Sequence, residues 1–119
     1  MPLIPVIASY YGISLVLTDG TAHNLLTLLK AVDTSLSGVL FGCQSLQVQS
    51  DDSNGANPVY IGDSHLDYAL PRYSIKLLVH EVSLYHWPVS YQVPLAAIYI
   101  QCPAATAQAP MQINVEISF

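Results

Sequence analysis

The sequence predicts an all-β fold, an antiparallel β-sandwich or jelly roll of seven to eight strands with one short helix. Three observations carry this. Short runs alternate apolar with polar residues, most cleanly near the C-terminus, where Ile113, Val115, Ile117 and Phe119 interleave with Gln112, Asn114, Glu116 and Ser118. Turn signals such as Asp19-Gly20, Asn54-Gly55 and Gly62-Asp63 fall between the runs. Only one stretch has a helical period, so the strand–helix alternation of a parallel α/β sheet is missing.

In chain order, residues 1–12 read as an extended N-terminal arm, because Pro2 and Pro5 bar a helix and favour an edge or a free segment. Residues 13–119 then form a single sandwich domain. Ile13, Leu15 and Leu17 alternate with Ser14 and Val16 as a strand, and Thr18-Asp19-Gly20-Thr21 is a turn. Asn24 to Val32 is the helix, with Leu25, Leu28, Leu29 and Val32 on one face and Asn24 as its N-cap. A helix so short holds only by packing. Strands follow where Leu46 and Val48 alternate with Ser45, Gln47 and Gln49, and at Pro58–Ile61, separated by a polar loop, Asp51 to Gly55, with an Asn-Gly turn. Further strands are expected where Tyr73, Ile75 and Leu77 alternate with Ser74 and Lys76, and from Val82 to Trp87, stopped by Pro88. The last two comprise Ala96 to Gln101, where Ala96, Ile98 and Ile100 take one parity, and the C-terminal strand beyond the small-residue loop Ala104–Pro110.

Composition narrows the function classes. Charged residues make up 9% of the 119 and hydrophobic residues 52%, whereas a typical soluble domain has about 25% charged residues. No run reaches the roughly 18 apolar residues of a spanning helix. The opening residues lack a basic region and are a poor signal peptide, and an outer-membrane barrel would need more strands. The expectation is therefore no membrane, and a surface covered by permanent protein partners in a homo-oligomer. Lys30, Arg72 and Lys76 are the only basic residues against eight acidic ones, which argues against nucleic acid. Cys43 and Cys102 sit in apolar surroundings and read as buried free thiols, with a disulfide between them left open; the lack of a secretory signal favours a reducing cytosol.

No catalytic, metal or cofactor site is expected. Gly62-Asp63-Ser64 has the look of a hydrolase nucleophile block but closes a strand and has no helix after it. His80-Glu81 would point to opposite faces of a strand, and His80 and His86 would lie about 20 Å apart on an unbroken one, too far to share a metal. Asp51, Asp52 and Asn54 lack the spacing and terminal Glu of a calcium loop. Tyr85, Trp87 and Tyr91 flank Pro88 as a candidate interface, and Pro2, Ile4, Pro5, Tyr10 and Tyr11 are candidate contacts of the arm with a neighbouring subunit.

From Leu46 onward the order of features is distinctive. A strand Leu46-Gln47-Val48-Gln49 leads to the loop Asn54-Gly55-Ala56-Asn57, then to Pro58-Val59-Tyr60-Ile61-Gly62-Asp63-Ser64 and, later, Pro94-Leu95-Ala96-Ala97-Ile98-Tyr99-Ile100. Upstream, Leu17 to Leu29 resembles a helix-bearing loop. Together these motifs resemble small virion proteins of tailed bacteriophages, of the capsid cement or decoration type. Leu77-Leu78-Val79-His80-Glu81 departs from the pattern by lacking a glycine turn. The resemblance implies a non-enzymatic structural protein of the virion, assembled in the host cytoplasm. It would act as a homo-oligomer, with a trimer as the expected order, and clamp neighbouring subunits of the major capsid protein. A tail, neck or fibre component of the virion, and a carbohydrate-binding β-sandwich using Tyr85, Trp87 and Tyr91, are the alternatives.

Overall fold

The computed structural model describes residues 10–33, 42–43, 45–78, 81–86 and 93–118. Among them the strands are β1 (Tyr10–Leu17), β2 (Ala22–Asn24), β3 (Gly42–Cys43), β4 (Ser45–Ser50), β5 (Val59–Gly62), β6 (Ile75–Leu77), β7 (Val82–His86), β8 (Val93–Pro94), β9 (Tyr99–Gln101) and β10 (Met111–Ser118). One helix, α1 (Leu25–Val32), follows β2 directly.

All strand pairs are antiparallel, and five of them are nested: β1 with β10, β2 with β9, β3 with β8, β4 with β7 and β5 with β6. The described strands thus form one long two-stranded ribbon wound upon itself. Successive rungs fall alternately into two sheets, of order β1-β10-β4-β7 and β2-β9-β5-β6, and β3–β8 forms a small separate pair. Two four-stranded sheets wound in this way are a jelly roll. The eight strands of the main sheets match the expected number.

Parity explains the core. Along β4 every second residue, Leu46, Val48 and Ser50, is buried, and β10 buries Met111, Ile113, Val115 and Ile117. These meet Val59, Ile61, Leu77 and Ile100 of the other sheet in one cluster. Each fully buried Leu or Ile contributes roughly 1.5–3 kcal/mol over leaving it exposed. α1 adds Leu25, Leu26 and Leu29 to the same cluster. Its N-terminus lies where the sequence places it: Asn24 accepts from the Thr27 N–H at 3.2 Å and donates to the Ala96 carbonyl at 2.6 Å.

Several boundaries differ from the expectation. β1 begins at Tyr10, so Tyr10–Gly12 belong to the strand, opposite Ser118, Ile117 and Glu116. β2 carries no sequence signal, since three residues are too few for alternation to register. The strand expected from Ala96 is half turn: Leu95–Ala97 is a 3₁₀ turn closed by the Ile98 N–H on the Leu95 carbonyl, and only Tyr99–Gln101 pairs. Small alanines there mimic alternation without filling a sheet face. The polar loop after β4 also contains a 3₁₀ turn, Asp52–Asn54, and Gly55 follows at φ 59° and ψ −136°, a conformation suited to glycine.

Candidate interaction surfaces

The outer face of the β1-β10-β4-β7 sheet is built from side chains of the parity opposite to the core. Register sets Ser14, Asn114 and Gln49 in one row and Gly12, Glu116 and Gln47 in the next. Ser14 donates to Asn114 at 2.8 Å, and Asn114 donates to Asp51 at 2.9 Å. Amides and hydroxyls both donate and accept, so this face can hydrogen-bond to another surface without desolvating many charges. Glu116 is its one carboxylate among the described strand residues. A shallow groove of about 420 Å³ runs over Gly12, Ser14, Gln47, Gln49, Asn114 and Glu116. Gly12 adds no side chain to it, and a Cβ there would meet only the Val115 carbonyl oxygen, at 3.9 Å.

A second surface lies on the other sheet. Tyr60 of β5 stands opposite Lys76 and Gln101. The Tyr73 ring meets Tyr60 edge-on at 4.8 Å between centroids, Tyr68 lies at 5.6 Å, and the Lys76 ammonium is 5.8 Å from the Tyr60 centroid. Tyr60 is buried, while Tyr68, Leu70 and Tyr73 remain exposed. Gln101 anchors this loop. Its side chain accepts from the Tyr68 N–H at 3.0 Å and donates to the Gly20 carbonyl at 2.9 Å, joining the loop to the β1–β2 turn. Sequence reading missed both the tyrosine cluster and Gln101. The partners come from segments far apart in the chain, and Gln101 looks like any outward polar residue.

The residues expected to form an interface are only partly placed. Pro2, Ile4, Pro5, Trp87 and Tyr91 lie outside the described residues. Tyr10 and Tyr11 are strand residues of β1, and Tyr85 pairs with Leu46 on β4; for these three the register alone is described.

Two histidine–aspartate contacts lie in turns among the described residues. Asp19 accepts from the Thr21 N–H at 2.9 Å and from its hydroxyl at 2.5 Å, and it contacts His23 Nε2 at 2.8 Å. The Thr21 hydrogen bonds, then that of His23, lower the Asp19 carboxyl to about 2. A nucleophile–base–orienter triad needs hydroxyl and carboxylate on opposite ring nitrogens. Here Thr21 lies 3.3 Å from the same Nε2. An ionised carboxylate only accepts, so Nε2 carries the proton and is no base for Thr21.

Asp63 accepts from the His65 N–H at 2.8 Å, and the His65 ring is 3.6 Å away with both side chains about three-quarters exposed. Gly62-Asp63-Ser64 is thus a strand-closing turn. Asp51 accepts from the Ser53 N–H and hydroxyl and from Asn114. The buried Asn54 side chain exchanges hydrogen bonds with the backbone of Gln112, which ties the Asp51–Gly55 loop to β10. No group of three or more His, Cys, Asp or Glu able to hold a metal occurs among the described residues. Cys102 is a buried free thiol, pushed up to about 12 by desolvation. No helix among the described residues is long and apolar enough to cross a membrane.

These features define the class of protein by its fold: an antiparallel jelly roll with a charge-poor outer sheet face. No family model and no curated protein matches the chain. Among solved structures, a Cupin_2 domain of an XRE family transcriptional regulator from Enterobacter cloacae is similar at 8% identity and a TM-score of 0.49, over 100% of this chain and 93% of that one. The coat protein of Tobacco streak virus is similar at 10% identity and a TM-score of 0.40, over 100% of this chain and 88% of that one. Neither likeness bears on function, and the jelly roll rests on the strand order itself.

Proposed function

We propose that this chain is a structural protein of a tailed-phage virion, a capsid cement protein that acts as a homo-oligomer, with a trimer as the expected order, and binds the major capsid protein. The carrying observation is the outer face of the β1-β10-β4-β7 sheet, where, Glu116 apart, neutral amides and hydroxyls stand in place of the Lys and Glu that keep a free surface apart from its neighbours. Such a face binds another protein at little desolvation cost, and many weak contacts repeated around a shell sum to a large stabilisation. The order of motifs from Leu46 onward supports the same reading. Nothing in this role calls for a reaction, and the Thr21–His23–Asp19 and Asp63–His65 groups act as turn locks.

Light scattering on the purified chain at micromolar concentration is expected to give an oligomer; a persistent monomer removes the physical basis of the reading. Quantitative mass spectrometry of purified particles then decides the position. Cement requires a copy number comparable to that of the major capsid protein, whereas a tail or neck component would be present in a few copies.

A further inference from the structure

Four strands edge the two main sheets: β1 and β7 in one, β2 and β6 in the other. Two of them are blunted: β2 and β6 have three residues each, and β6 carries Lys76. β7 has five, against eight in β1. β1 is different. It runs for eight residues with no charge and no proline, and it pairs with β10 residue for residue, without a bulge. Among the described residues no strand pairs with its other edge. A long regular edge presents a row of backbone N–H and C=O groups that templates another strand, and proteins that keep such an edge free place Lys, Pro or a bulge on it.

We infer that β1 pairs antiparallel with β1 of a second copy about a two-fold axis, so that two four-stranded sheets become one of eight strands. This rests on the oligomeric reading above and names one of its contacts. The partner is a second copy because β1 complements itself. Residues directly opposite in an antiparallel pair share a face, so outer residues must meet outer residues. A register centred on Ser14 does this, setting Ser14 against Ser14 and Gly12 against Val16 of the other copy. Val16 is a large apolar side chain, 53% exposed. Gly12 is the open floor of the groove, with only the Val115 carbonyl oxygen near the place of a Cβ. Each copy thus offers the other both the side chain and the space for it. Charge agrees: the chain carries a formal net −5, and β1 sets no like charges opposite one another. Its nearest carboxylates in register are Glu116, one strand further in, and Asp19, beyond the strand end. A two-fold contact closes on itself, so with the trimer proposed above the full assembly is a pair of trimers joined through β1, an even number of copies.

The test uses the full chain with Ser14→Lys, Ser14→Glu and Ser14→Ala, each checked for folding by far-UV circular dichroism and a thermal melt. Native mass spectrometry of the unsubstituted chain is expected to give an even-numbered assembly. S14K and S14E each set like charges across the axis and are expected to halve its mass; S14A leaves it intact, and mixing S14K with S14E in equal amounts restores it as a mixed pair. A trimer, or any assembly whose mass S14K and S14E leave unchanged, overturns the β1 contact and leaves the virion reading standing. Failure of the mixed pair to form also overturns the contact. A monomer at every concentration overturns both.

Discussion

At the residue scale, the β1–β2 turn rests on Asp19 and Gly20. Asp19 is an acceptor for three donors, and its carboxyl lies at about 2 instead of the ordinary 3.8. A carboxyl lowered by folding stabilises the native state above its unfolded value, and that contribution disappears as pH falls through the folded one. Urea denaturation should therefore show Asp19→Asn less stable than the unsubstituted protein at neutral pH. The gap should narrow below 3.8 and close near 2; a gap independent of pH would mean that the carboxylate charge is not what the turn uses. The next residue is constrained by space. A Cβ on Gly20 would lie 2.7 Å from the Pro103 carbonyl oxygen, and backbone cannot swing aside as a side chain can. Gly20→Ala is expected to lower the unfolding free energy by about 1–3 kcal/mol, read from the shift of the denaturation midpoint at constant slope. The Asp-Gly turn signal foretold a turn here, but not the reason for the glycine, because Pro103 approaches from a segment the sequence does not show to be near.

At the scale of elements, what could be read in advance was whatever repeats locally. β10 and β4 announce themselves by alternation because each has one face in the core. α1 does so by its leucine spacing and by Asn24. Elements defined by their partners could not be read: β2 is a strand only because β9 lies beside it, and Leu95–Ala97 is a turn because Leu95 sinks into the core while Ala96 offers its carbonyl to Asn24. The candidate site divides in the same way. The neutral character of the outer strand positions was visible as alternating Gln, Asn and Ser, whereas the tyrosine cluster needed the tertiary fold to bring Tyr60, Tyr68 and Tyr73 together. Asn24 belongs to both groups, since its capping role is local and its bond to Ala96 is not. Asn24→Ala removes the cap and leaves the Ala96 carbonyl without this donor, so a loss of about 1–2 kcal/mol is expected. A loss of only a few tenths in a thermal or urea melt would show that packing of Leu25, Leu26 and Leu29 alone holds α1.

For the whole molecule, winding a single ribbon has a consequence for folding. In the first sheet β10 lies between β1 and β4; in the second β9 lies between β2 and β5. Among the described residues every pair of strands joins one of β1 to β5 with one of β6 to β10, and none joins two strands of the same half. The halves meet at the hairpin after β5, where Gly62 opens the loop toward β6. A chain cut there should leave two pieces with no native strand pair of their own, and a strand alone in water is not stable. Residues 1–62 and 63–119, made separately, are expected to show unfolded circular dichroism and collapsed amide dispersion in NMR spectra. Mixed in equal amounts, they should regain the spectrum of the intact chain with a midpoint that rises with concentration, because association now does the work of the covalent link. The same topology postpones the gain from each rung until distant segments meet, so the intact chain should refold in milliseconds to seconds, as all-β domains rich in non-local pairs do. A half that folded alone, with dispersed amides and a cooperative melt, would contradict the interleaved strand order on which the jelly roll assignment stands.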